Sequence, residues 1–164
     1  MRKLVAVALA VLALVVFTTP VYAQVNNASI TATATVQAPI NVTAVNNLDF
    51  QSVFPGVAKT VLVTDATAGR WDVAGAASTP VSLNFTLPTN LASGGDLMPI
   101  GTWTGNHNTT ATPAGTGFTP SGTPTAATLS GTGALFVYIG ATVSPLANQP
   151  AGVYTAAVTL TVLY

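Results

Sequence analysis

Residues 80–87 read P-V-S-L-N-F-T-L, and their alternation decides the class of the fold. Val81, Leu83, Phe85 and Leu87 fall on one face, with Ser82, Asn84 and Thr86 on the other. A period of two marks a strand with one face buried. Pro88 ends it, because proline has no N–H to give to a ladder. The pattern recurs on both sides. Upstream, residues 69–74 (G-R-W-D-V-A) put Trp71 and Val73 on one face. Residues 58–64 and 40–45 also read as strands, residues 48–50 as further extended pairing, and Asn46-Asn47 and Pro55-Gly56 as turns. Downstream, residues 97–103 form a weaker strand containing Pro99. Residues 105–127 read as a long loop with one short strand near Phe118, residues 133–143 as an apolar central strand and residues 152–164 as a long last strand. Beyond the first 23 residues no window carries a 3.6-residue period. The expectation is one all-β domain, a sandwich or barrel of about seven to nine strands.

Composition narrows the function. Charged residues make up 5% of the 164, against roughly 25% in an ordinary globular chain. Nothing here could neutralise a row of phosphates, so nucleic-acid binding is excluded. Coiled coils need Glu, Lys and Arg on their surfaces, and this chain has no Glu. A hydrophobic share of 49% argues against disorder. Arg2 and Lys3 precede an apolar run over residues 4–17, and Val21-Tyr22-Ala23 supplies a cleavage site. Residues 1–23 therefore read as a secretory signal peptide cut before Gln24, and the protein as secreted, extracellular or at the cell surface. The run is shorter than the roughly 20 residues of a membrane span, so none is expected in the mature chain. That chain keeps Lys59 and Arg70 against Asp49, Asp65, Asp72 and Asp96, a net charge of −2. It has no Cys and forgoes disulfides.

Residues 24–38 stand apart. Residues 24–37 hold no charge, no Pro and no Gly. Ile30, Ala32, Ala34 and Val36 line one face of S-I-T-A-T-A-T-V, and threonine fills most of the other. Sheet edges are usually blunted by Lys, Pro or bulges, and this segment has none. Two readings stand open. Residues 28–36 are the first strand of their own domain, or they are a donor strand that completes the sheet of the next subunit, with Pro39 as hinge. Donation is head-to-tail, does not close, and grows a filament.

The stretch Leu48-Asp49-Phe50-Gln51-Ser52-Val53, followed by Pro55-Gly56, resembles the L-x-F-G-x-V opening of a family of secreted bacterial pilin-like domains of unknown function. The end of the chain, from Pro150-Ala151-Gly152-Val153-Tyr154 through Val158, Leu160, Val162 and Tyr164, is similar to that family's closing strand and to the closing strand of chaperone–usher fimbrial subunits. Gln51 departs from the pattern, which has glycine there, and the Cys pair of many chaperone–usher pilins is absent. The resemblance implies an immunoglobulin-like, pilin-like β-sandwich of about seven to nine strands with an extended amino-terminal strand, and a surface filament or matrix role. A periplasmic chaperone and an outer-membrane assembly protein are the further partners open to such a subunit.

Catalytic chemistry finds little to build on. His107 is the one histidine, and a triad would take it with Asp96 and one of Ser93, Ser121 or Ser130. No Gly-x-Ser-x-Gly turn is present to expose a nucleophile. Without Cys there is no thiolate zinc cluster, and Gly94-Gly95-Asp96 lacks the spaced acids of a calcium loop. No catalytic residue, metal or cofactor is expected. The sequence-level expectation is a non-enzymatic filament or pilus subunit whose partners are copies of itself, head to tail. Ile30, Ala32, Ala34 and Val36 would be the plugs, and Leu135, Val137, Ile139, Val158, Leu160 and Val162 would line the acceptor groove. The alternative is a monomeric surface binding module that holds a glycan or protein through Trp103 and Asn108 in the loop region.

Overall fold

A computed structural model describes residues 26–164. The signal-peptide reading of residues 1–23 and the first two donor residues, Gln24 and Val25, lie outside them. Residues 26–35 belong to one unit and Val36–Tyr164 to another, which is compact by itself. Every residue from 26 to 39 is exposed and carries no strand; Ile30 is 96% and Val36 95% exposed. Residues 28–36, read above either as a first strand or as a donor strand, have side chains that alternate as in a sheet but take part in no ladder among the described residues.

The body is all-β, with no helix among the described residues. Its strands are β1 (Asn41–Asn46), β2 (Lys59–Val61), β3 (Gly69–Ala74), β4 (Pro80–Thr86), β5 (Asn90–Ser93), β6 (Asp96–Asn108), β7 (Thr116–Phe118), β8 (Thr125–Thr128), β9 (Ala134–Val143) and β10 (Thr159–Leu163). That is ten, above the seven to nine expected. The larger antiparallel sheet runs β1-β3-β9-β6-β5, with β2 in line with β3 along β9 and β7 on β6. The smaller runs β10-β4-β8.

β9 is central because it can be buried on both faces. Leu135, Val137 and Ile139 point into the core, and Tyr138 on the opposite face is buried too. One core cluster lies between the sheets: Val73, Leu135, Val137 and Ile139 from the larger meet Val81, Leu83, Phe85, Leu160 and Val162 from the smaller. Trp71 meets Phe85 edge-on at 6.2 Å, the geometry that ring quadrupoles favour. A second cluster, with Phe50, Met98, Ile100, Ala141 and Val143, fills the other end.

Three segments differ from the sequence reading. β6 is 13 residues long and runs through Pro99, whose carbonyl accepts the Ser144 N–H at 2.9 Å. The loop expected from residue 105 therefore starts only after Asn108, and β8 emerges within it. β2 keeps three of seven expected residues, because the Asp65 carboxylate accepts the Leu62 N–H at 2.8 Å and turns the chain. The long last strand shrinks to Thr159–Leu163, and residues 152–158 touch a neighbour's backbone only at the Thr155–Ala92 bridge.

The strand directions define two ends. One holds Phe54, Pro55, Leu97, residues 144–150 and Gly152, beyond Val143 of β9. The other holds Ile40, residues 75–79 and 130–134, and Tyr164. There the Tyr164 hydroxyl accepts the Ala76 N–H at 2.9 Å and donates to the Ala38 carbonyl.

Candidate functional site

A groove of about 720 Å³ lies between two chain segments. One wall is residues 44–53, leading out of β1. The other is residues 152–158, leading into β10. Leu91, Met98 and Ile100 from the β5–β6 hairpin, with Trp71 and Ile139, lie beneath. The groove therefore opens onto the apolar interior.

The second wall has unmet hydrogen-bonding capacity. Thr155 exchanges both backbone bonds with Ala92, each 3.0 Å. In an extended chain the N–H and C=O of successive residues point to opposite sides. Those of Tyr154, Ala156 and Val158 thus face away from β5, and none of the three makes a backbone hydrogen bond within the described residues. On the first wall the Asp49 N–H donates to the Thr67 carbonyl, and the Gln51 N–H to Asp49 Oδ1 at 2.7 Å. Gln51 sits at φ 54°, in the left-handed region. A further cavity of about 370 Å³ shares Gln51, Val53, Met98, Gly152 and Tyr154 with the groove and runs on to Pro55, Pro145 and Gln149. The groove is therefore open at its Gly152 end.

The expected acceptor residues divide. Ile139 and Val158 line the groove. Leu135, Val137, Leu160 and Val162 do not: all four are buried in the core between the sheets. The most apolar strands find partners within the chain, and the groove lies beside an extended segment that has none on its other side among the described residues. Wall residues 44–53 and floor residues Leu91, Met98 and Ile100 were missed, although their alternation was in the sequence. Ile30, Ala32, Ala34 and Val36 stand exposed on the unpaired arm.

Trp103 and Asn108 both make contacts within the chain. Trp103 is half-buried and packs against both core clusters. The Asn108 amide donates to Thr112 and to the Ala114 carbonyl at 3.0 Å, tying down its own loop. His107 lies against Phe118 at 5.7 Å between ring centres, and burial lowers its pKa. Arg70 forms a two-point ion pair with Asp72, at 2.7 and 2.9 Å, and covers Phe136 and Tyr138. The Asp72 carboxylate raises the Arg70 pKa. Among the described residues no three His, Asp or Glu side chains gather as metal ligands. No protein-family model matches the chain, and no curated protein matches it.

Proposed function

We propose that this chain is a structural subunit of an extracellular filament, with an immunoglobulin-like body one strand short, completed by residues 24–37 of a second copy. The observation that carries this reading is the groove itself, whose wall at residues 152–158 is bridged to Ala92 on one side, makes no backbone hydrogen bond on the other among the described residues, and is set over an apolar floor. Strand addition to such a site gains affinity from main-chain bonds and specificity from alternate side chains. The arm supplies both needs. Residues 30–36 match the seven residues of the wall, about 23 Å at ~3.3 Å per residue. Their plug face carries Ile30, Ala32, Ala34 and Val36, and the arm brings no charge of its own to desolvate.

Negative-stain microscopy of the chain beginning at Gln24 tests the reading. Regular filaments of stacked globules are expected, lost on deletion of residues 24–36 and capped by a peptide of residues 24–37. Dispersed single-domain particles at high concentration overturn it.

A further inference from the structure

The end of the body beyond β9 exposes an unusual amount of apolar surface. Phe54 is 71% exposed, and Val57, Leu97, Leu146 and Val153 are exposed with it. They form one neighbourhood. The Gly56 N–H donates to the Leu146 carbonyl at 3.0 Å, the Val57 N–H to the Phe54 carbonyl at 3.1 Å, and the Gln149 side chain to the Leu97 carbonyl at 3.2 Å. Gly152, next to Val153, lines the adjoining cavity with Pro150 and with Pro55 and Pro145, which neighbour Phe54 and Leu146 in the chain. Exposed apolar clusters rimmed by polar residues mark interaction surfaces.

We infer that this apolar end seats against the opposite end of the next copy, forming a body-to-body contact separate from the strand in the groove. The inference rests on the proposed strand exchange, and chain length carries it. The groove is open at its Gly152 end, beside the apolar cluster. A strand lying there antiparallel to residues 152–158, the slightly more stable pairing, leaves by that end. Its own body begins almost at once, because Ala38 is held by Tyr164. From Val36 to Ala38 the chain spans at most about 7 Å, at ~3.3–3.6 Å per residue. The end of the donor body that carries Tyr164 is thereby drawn onto Phe54, Leu146 and Val153 of the acceptor. That end suits the contact: residues 75–79 (G-A-A-S-T) and 130–134 (S-G-T-G-A) are small and uncharged.

The test places a photo-crosslinker at the apolar end, Phe54→p-benzoylphenylalanine, in the chain beginning at Gln24. Val36–Tyr164 is a compact unit of its own, so this chain retains the whole body. Irradiation is expected to give a ladder of linked copies, with the attachment in residues 75–79, 130–134 or 164. In parallel, a peptide of residues 24–37 is titrated onto the body lacking its arm. Peptide binding with no link, or with links only between two apolar ends, overturns the inference and leaves the strand reading standing. Failure of both overturns both. The expected link without peptide binding supports the end-to-end contact and overturns strand exchange. The pair Phe54→Asn and Leu146→Asn serves as a second variant: it should bind the peptide as wild type does yet assemble at least about tenfold more weakly, from the apolar area lost. Unchanged assembly overturns the inference.

Discussion

Gln51 and Thr102 hold φ angles of 54° and 47°, where an L side chain crowds its own backbone. Such a conformation costs roughly 1–2 kcal/mol per residue. At Gln51 the Asx turn from Asp49 compensates in part, and this is the position where the L-x-F-G-x-V pattern carries glycine. Gln51→Gly is expected to raise the unfolding free energy by about 1 kcal/mol, read from the urea midpoint, with the unfolded-state entropy of glycine limiting the gain. His107 gives a pH signature. Burial pushes its imidazole below the ordinary 6.5, so the unfolded chain takes up the proton first as pH falls. The stability tied to neutral His107 is whole above 6.5 and is lost as pH drops through the depressed value. Denaturation of wild type and His107→Gln across that window should show the wild type losing stability relative to the variant on the acid side.

At the scale of elements, legibility followed the partnering of the backbone. β3 was readable to the residue and β4 and β9 nearly so, because bulky side chains alternate there and each strand lies between two others. Leu83 is fully buried at the centre of β4. Leu83→Ala should cost about 2–5 kcal/mol by calorimetry or urea titration. Residues 152–158 alternate just as well, yet only Thr155 is paired. Periodicity reports how side chains divide between faces and is silent on whether a neighbouring strand exists. That silence hid the groove, whose wall at residues 152–158 read as part of an ordinary strand. It is equally silent for residues 28–36, whose pattern fits a sheet and which join no ladder among the described residues. β5 and β8, four residues each, were too short to register. Deleting residues 26–36 should leave the urea midpoint of the body unchanged, since no ladder in it uses them. A large fall would mean that the arm belongs to the fold.

For the whole molecule, the scarcity of charge sets the response to solvent. Arg70–Asp72 is the one salt bridge among the described residues, and it is partly exposed, where such pairs are worth about 0–1 kcal/mol. Raising NaCl from about 0.05 to 0.5 M, which shortens the screening length severalfold, should move the thermal midpoint by no more than about 2 °C. A larger shift would reveal electrostatic support not evident in these contacts. The smaller sheet carries a different consequence. β4, at residues 80–86, takes one neighbour from residues 125–128 and the other from residues 159–163. More than seventy residues separate β4 from β10, so neither hairpin closure nor any other local step can assemble this sheet. Folding that waits on distant pairings is slow. Throughout that wait the apolar faces of β4 and β10 stand open in a chain with almost no charges to keep molecules apart. Refolding from urea should therefore be a race between closure and clumping, with recovered yield falling steeply as protein concentration rises.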